Sequence, residues 1–187
     1  MNPTIAETQL LFVDLQPGFV ASSRTNPPAT LSSAASVLAL AGELLRIPMT
    51  FLTVPDTSGP GTLIPELQLF ATEANSFRRT TTSPFLKTEI SHTISAHQRA
   101  VLVVSGFSAE VAVLQTALDG LEAGYEVIVP IDAIGSRSPR TEAAVLRQME
   151  IAGAVVTSVR SLLMRLTPDV ASSSGAEVLR LLRGFED

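Results

Sequence analysis

Short apolar runs of β-type residues alternate along the chain with longer stretches in which apolar residues return every three or four positions. The runs are QLLFV (9–13), TFLTV (50–54), AVLVVS (100–105), EVIVPI (126–131) and AVVTS (154–158). They are apolar nearly throughout instead of alternating with polar residues, the pattern of strands covered on both faces. Leu31, Ala34, Ala35, Leu38, Ala41 and Leu45 line one side of a helix. A second helical stretch runs from Glu110 to Ala123, with Gly124 suited to the residue that ends it. A third runs from Pro139 to Ala152, where Pro139 fits a first turn and Gly153 an end. Strands separated by helices of this length build βαβ units. The expected architecture is a single three-layer α/β/α, Rossmann-like domain over residues 1–187. Its sheet is expected to be mostly parallel, with about five or six strands.

Two stretches are less regular. Between 55 and 88 lie PDTSGPG (55–61), a short helix near Leu63–Ala71 and the polar run SFRRTTTSPF (76–85), which holds a strand around Phe77–Thr80. A polar helix follows over 89–98. Near the end, a Ser-rich turn precedes Val178, Leu179, Leu181 and Leu182, which predict a terminal helix packed on the sheet or on a second subunit. No internal repeat or domain boundary interrupts the chain.

Composition then narrows the classes. Among 187 residues, 45% are hydrophobic and 17% charged, which suits a packed core and excludes a disordered chain. Thirteen Lys and Arg against eighteen Asp and Glu give a net charge of −5, so no nucleic-acid partner is expected. The absence of cysteine removes disulfides, thiolate metal sites and any thiol nucleophile. The first apolar run stops at Asp14, far short of the roughly 20 residues that a membrane span needs. A cytoplasmic protein with no membrane partner is the expectation.

In an open parallel sheet, ligands bind beyond the carboxyl ends of the strands. The candidates are therefore Asp14, Leu15 and Gln16 after the first run, Arg78 and Arg79 after the run near Phe77, and Asp132 and Ala133 after EVIVPI. After VLVVS, Gly106, Phe107, Ser108, Ala109 and Glu110 are expected to open a helix. Asp14-Leu15-Gln16-Pro17 stands where a dinucleotide-binding glycine fingerprint would be, and SGPG (58–61) has no lysine after it, so no cofactor is expected.

Three segments carry a resemblance: FVDLQPGF (12–19), SPFLKTEI (83–90) and VVSGFSAEVAVLQTALDGLEAGYEVIVPIDAIGSRS (103–138). In this order they resemble the isochorismatase-like hydrolase superfamily, the cysteine hydrolases, which includes nicotinamidases and N-carbamoylsarcosine amidases. The third segment is the most specific, joining G-x-x-x-x-V-x-V-x-x-T-A to a downstream G-Y-x-V and D-A. The resemblance implies a catalytic trio of Asp, Lys and Cys. These fall on Asp14, on Arg79 and on Ala112, the position of the absent nucleophile. It also implies an oxyanion hole from the amides of Ser108 and Ala112. Gln16, Phe19, Phe107 and Ser108 form the candidate substrate-binding set. Nicotinamidase-type members hold a metal through an Asp-x-His, but here Asp56-Thr57-Ser58 offers no histidine and no metal is expected. Family members form dimers or tetramers, so a homodimer or homotetramer is implied.

Alanine supplies no nucleophile, so a covalent acyl-enzyme route is closed. Arginine stays protonated and cannot shuttle a proton, although its planar fork suits a carboxylate on a ligand or on Asp14. If Arg79 pairs with Asp14, the positive charge is expected to lower the Asp14 pKa and weaken it as an acid. The isochorismatase branch resembles this chain in having a small residue at the cysteine position; there the Asp protonates a vinyl ether. Two readings stand. One is a hydrolase of non-thiol mechanism acting on a small anionic molecule. The other is a catalytically silent member that binds a small carboxylate or a protein. Arg78 is an alternative to Arg79, and Lys87 a weaker candidate for the missing lysine. His92 and His97 read as solvated, Ser108 as lacking a base, Asp132 as architectural, and TTTS (80–83) and SSS (172–174) as plain loops.

Overall fold

The apolar runs become neighbouring parallel strands, in the computed structural model that describes residues 3–56 and 59–185. The elements follow in the order β1 (Thr8–Val13), α1 (Pro17–Val20), α2 (Pro28–Leu44), β2 (Met49–Thr53), α3 (Pro65–Gln68), β3 (Ser76–Arg78), α4 (Thr88–Ala96) and β4 (Val101–Phe107). A π-helical turn, Ala109–Val113, then leads into α5 (Leu114–Glu122). The chain continues with β5 (Glu126–Pro130), β6 (Ile134–Gly135), α6 (Pro139–Ala152), β7 (Val155–Thr157), α7 (Val159–Leu166) and α8 (Ser173–Arg183).

Among the described residues the sheet has seven strands, ordered β3-β2-β1-β4-β5-β7, with β6 paired to the end of β4. This exceeds the expected number because β6 is two residues long, too short to show a pattern. Every pairing in it is parallel. Alternate residues of one strand serve opposite faces. Leu10 and Phe12 join Phe51, Val103 and the apolar sides of α2, α7 and α8 in one core. Leu11 and Val13 join Leu52, Val104 and residues of α4, α5 and α6 in the other. That double burial is why the strands read as unbroken apolar runs. Phe12 and Phe51 stack across β1 and β2 with centroids 5.0 Å apart, and burying each such side chain is worth about 1.5–3 kcal/mol.

Helix punctuation follows local chemistry. Ser138 caps α6, accepting from Thr141 N at 3.3 Å, with Pro139 in the first turn and Gly153 at φ 111° after the last. Gly124 takes φ 90° beyond α5. The terminal helix packs within its own chain: Val178, Leu182 and Phe185 sit in the core shared with α2 and α7. Among the described residues no helix is long and apolar enough to cross a membrane.

Four boundaries differ from expectation. The helix near Leu63–Ala71 shrinks to one turn, Pro65–Gln68. The strand near Phe77–Thr80 becomes Ser76–Arg78. Gly106 and Phe107 belong to β4 rather than to a helix opening, because Gly106 pairs with both Val13 and Ile134. The helix after Ser108 begins as a π turn, in which Val113 N donates to Ser108 O at 3.2 Å. Thr57 and Ser58, with part of the SGPG loop, lie outside the described residues.

Candidate active site

From β1 the chain proceeds to one side, through β2 to β3, and from β4 to the other, through β5 to β7. The switch point lies between β1 and β4, where open α/β sheets place their ligand crevice. Close approach there requires Gly106: a Cβ on it would stand 2.3 Å from Val13 O.

At the end of β1, Asp14 takes a left-handed backbone with φ 55°. Its N–H donates to Leu52 O at 2.9 Å and its own carbonyl accepts from Gln16 N at 2.8 Å. The side chain is thereby left at the sheet's end, 5% exposed. Two strands away, Arg79 N donates to Thr53 O at 3.0 Å, extending the β2–β3 ladder one residue past Arg78. Strand alternation then decides between neighbours: Arg78 is exposed and Arg79 is 3% exposed. Arg79 donates through one terminal nitrogen to Asp14 Oδ2 at 2.6 Å, and through the other to Thr81 O. Asp14 Oδ1 and Arg79 Nε are buried without a partner.

Pairing does not lower the Asp14 pKa on balance. Burial raises it, the charge and hydrogen bond of Arg79 pull it back, and it settles at about 6 against an ordinary 3.8. The expected depression is therefore reversed, because desolvation outweighs the single cation. Burial also lowers the Arg79 pKa, with Asp14 opposing; the guanidinium remains a cation. A carboxyl group titrating near 6 can hold or give a proton close to neutral pH.

β4 delivers the opposite wall. The Phe107–Ser108 peptide bond is cis. Ser108 is extended, at φ −93° and ψ 153°, and precedes the π turn that carries Ala112. Asp14, Arg79, Ser108 and Ala112 all line one cleft of about 260 Å³. Phe19, Phe107, Val54 and Val111 give it apolar walls, and Thr80, Thr81, Thr82 and Arg137 complete it. A larger hollow of about 850 Å³ lies beside Arg78 and Phe77. It holds neither the acid with the raised pKa nor the helix start, so chemistry and not volume selects the smaller one.

Several sequence candidates fall elsewhere. Gln16 does not line the cleft. Its amide is used on the strand exit, donating to Val54 O and Asp56 Oδ2 at 3.1 Å each and accepting from Val54 N at 2.8 Å. Asp56 is thereby tied to Gln16 on the strand exit. Lys87 and His92 are exposed and line no part of the cleft. His97 is half-buried at the amino end of β2, its Nε2 3.4 Å from Thr50 Oγ1, and burial together with Arg99 lowers its pKa. Asp132 accepts from Val159 N through both oxygens, at 2.9 and 3.1 Å, and so holds the start of α7. Among the described residues no three His, Asp or Glu side chains gather as a metal site.

Sequence reasoning missed Arg137 and treated Thr80–Thr82 as a plain loop. Arg137 follows β6, and only the pairing of Gly135 with Phe107 shows that it reaches the same strand ends. The threonines follow directly on Arg79, so its proper placement brings them along.

An acid–arginine pair thus faces a helix start at the switch point of a parallel three-layer sheet. The isochorismatase domain matches residues 8–161. Isochorismatase domain-containing protein 2 of Macaca fascicularis is 30% identical over 156 residues, 83% of this chain and 74% of its own. Among solved structures, YcaC of Escherichia coli, described as an octameric hydrolase of unknown specificity, superposes with a TM-score of 0.92 at 23% identity, covering 99% of this chain and 91% of its own. A structure named MAR1 ribonuclease from Caenorhabditis elegans gives 0.86 at 26%, covering 100% and 95%. The chain belongs to the isochorismatase family.

Proposed function

We propose that this protein is a hydrolase working without a nucleophilic side chain, by proton transfer from Asp14 to a small anionic substrate. The observation that carries this is the buried Asp14 Oδ1, which has no partner, on a carboxyl whose pKa is raised to about 6. One oxygen is held by Arg79 and the other has no partner within the protein. Arg79 is a positioning residue: both of its terminal nitrogens are already used within the protein. The amide-bearing helix start at Ser108–Ala112 favours negative charge near the cleft, and Phe19 and Phe107 supply apolar contact.

These groups suit a bond that breaks on protonation alone, such as a vinyl ether. Asp14 gives its proton to the alkene carbon, and the C=C pair forms the new C–H bond. The resulting oxocarbenium ion takes up water, which returns a proton to Asp14. The hemiketal then divides into a carbonyl compound and an alcohol. An amide asks for more, since the chain has no thiol and no histidine lies at the cleft to activate Ser108. An RNA substrate, as in the name carried by the nematode structure, meets a net charge of −5.

The test is turnover of isochorismate and of a small amide panel at pH 6. Isochorismate cleavage that Asp14→Asn abolishes supports the hydrolase. Failure of every vinyl ether overturns it in favour of a catalytically silent binder, a reading supported by the closed Asp14–Arg79 pair. Rapid amide turnover overturns the mechanism by protonation of the substrate alone, since it would need a nucleophile other than a thiol. Self-association as a homodimer or homotetramer belongs to the same proposal, supported by the octameric description of a fold neighbour; light scattering on the intact chain tests it.

A further inference from the structure

The cleft has two arginines, and only one is spent. Arg79 is buried, with its terminal nitrogens on Asp14 and on the Thr81 carbonyl. Arg137 is exposed, and its Nε donates to Ser22 Oγ at 3.1 Å. No described residue takes its two terminal nitrogens. The side chain is nevertheless held. Ser22 Oγ in turn donates to Phe19 O at 2.7 Å, tying Arg137 to the turn that carries Phe19. The guanidinium carbon stands 5.3 Å from the centroid of Phe107, a cation–π contact that restricts the planar fork. Phe107 itself stacks with Phe19 at 6.3 Å and 24°. Packing fixes the origin of the residue as well: a Cβ on Gly135 would lie 2.9 Å from Ser23 Oγ and 3.0 Å from Phe107 Cδ2.

We propose that Arg137 is the carboxylate anchor of this cleft and gives it a preference for planar, unsaturated carboxylates. A pre-oriented guanidinium with both terminal nitrogens free matches the two oxygens of one carboxylate. The aromatic and aliphatic walls beside it suit a flat apolar body. The volume of about 260 Å³ lies below the roughly 300–1,000 Å³ of drug-sized pockets and so limits that body to one small ring or chain. A phosphate, with oxygens on all sides of its tetrahedron, would ask for more donors than one fork supplies. The inference rests on the hydrolase reading only for where the reacting bond lies, at Asp14; carboxylate binding needs no turnover.

The experiment titrates benzoate, benzamide and inorganic phosphate into the full chain and into Arg137→Gln and Arg137→Lys, at pH 6, by calorimetry. The surface position lets both variants fold, which their melting curves check. Benzoate is expected to bind the unaltered chain at least about tenfold tighter than benzamide or phosphate, and to lose about tenfold or more in Arg137→Gln. Arg137→Lys is expected to recover only part, since an ammonium cannot take a carboxylate bidentately. Equal benzoate affinity in Arg137→Gln, benzamide binding as tight as benzoate, tighter phosphate, or no benzoate binding at all would each overturn the proposal. Arg137-dependent benzoate binding by a chain that turns over no vinyl ether upholds the anchor and removes only the hydrolase. If turnover is found, Arg137→Gln is expected to raise KM with kcat little changed, the split of a binding contact away from the reacting atoms.

Discussion

Two aspartates end strands in this molecule, both buried, and they have opposite fates. At the Asp132 corner both carboxylate oxygens accept from Val159 N, so the group secures a helix start. At the Asp14 corner one oxygen meets Arg79 and the other meets nothing. A buried acceptor without a partner is costly, by about 1–3 kcal/mol, and a fold tolerates it where a ligand or a proton completes the site. Residue type and burial therefore fail to separate structure from chemistry here. The unspent oxygen separates them.

Breaking that comparison gives the largest expected effect. Asp14→Asn keeps the shape and removes the acid, so vinyl-ether turnover is expected to fall by about 10²- to 10⁴-fold. Asp132→Ala is expected to leave turnover unchanged while removing a helix-start acceptor, a loss of about 0.5–2 kcal/mol visible in thermal melting. Similar loss of rate in both variants, at matched stability, would erase the distinction.

Much of this was legible in the chain. The βαβ order, the doubly buried strands and the placing of Asp14 and of the Arg78–Arg79 pair at strand ends followed from apolar runs, because strand burial leaves a direct trace in sequence. The choice of Arg79 came from the family resemblance. The Asp14 pKa was not legible, since its direction depends on how much burial opposes one cation, and burial is a property of the assembled rim. Arg137 stayed hidden behind a two-residue strand that has no periodicity to read. Gln16 misled for a related reason: it lies two residues from Asp14, yet the left-handed turn at Asp14 sends its amide to Val54 instead of into the cleft.

A smaller effect sharpens the Asp14 side through pH. In the proposed mechanism the active form is protonated, so kcat/KM is expected to fall about tenfold per pH unit once pH rises through the Asp14 pKa near 6. Arg79 lowers that pKa against the effect of burial; in Arg79→Gln it is expected to rise further, moving the falling limb to higher pH. A residue that merely supports the fold would not move the limb. Stability gives the second readout. A carboxyl with a raised folded pKa stabilises the fold below its unfolded value of 3.8, and that contribution is lost as pH rises through about 6. In Arg79→Gln the charged acid also lacks its partner. Its deficit against the unaltered chain is therefore expected to be small at pH 5 and to grow towards pH 8, up to about 3–5 kcal/mol, the cost of leaving one buried charge unpaired. Urea titrations at both pH values measure it. A deficit independent of pH would mean that Asp14 does not titrate between them.

The smallest expected effect comes from supplying the atom that the cleft lacks. Ala112 is 3% exposed and lines the cleft, so Ala112→Cys places a thiol near the helix start. A thiolate needs a base to form and act. Among the described residues, the only carboxylate within the cleft lining is Asp14, and one of its oxygens is held by Arg79. Converting Arg79→Lys as well restores a group able to carry a proton, but not the surroundings that would orient a thiolate. Amide turnover in either variant is therefore expected to stay within about tenfold of the unaltered chain, measured on the same small amide panel. A gain of several orders of magnitude would show that the nucleophile was the only part missing. In that variant Asp14 would serve as the base of a thiol mechanism, a role it cannot have in the unaltered chain.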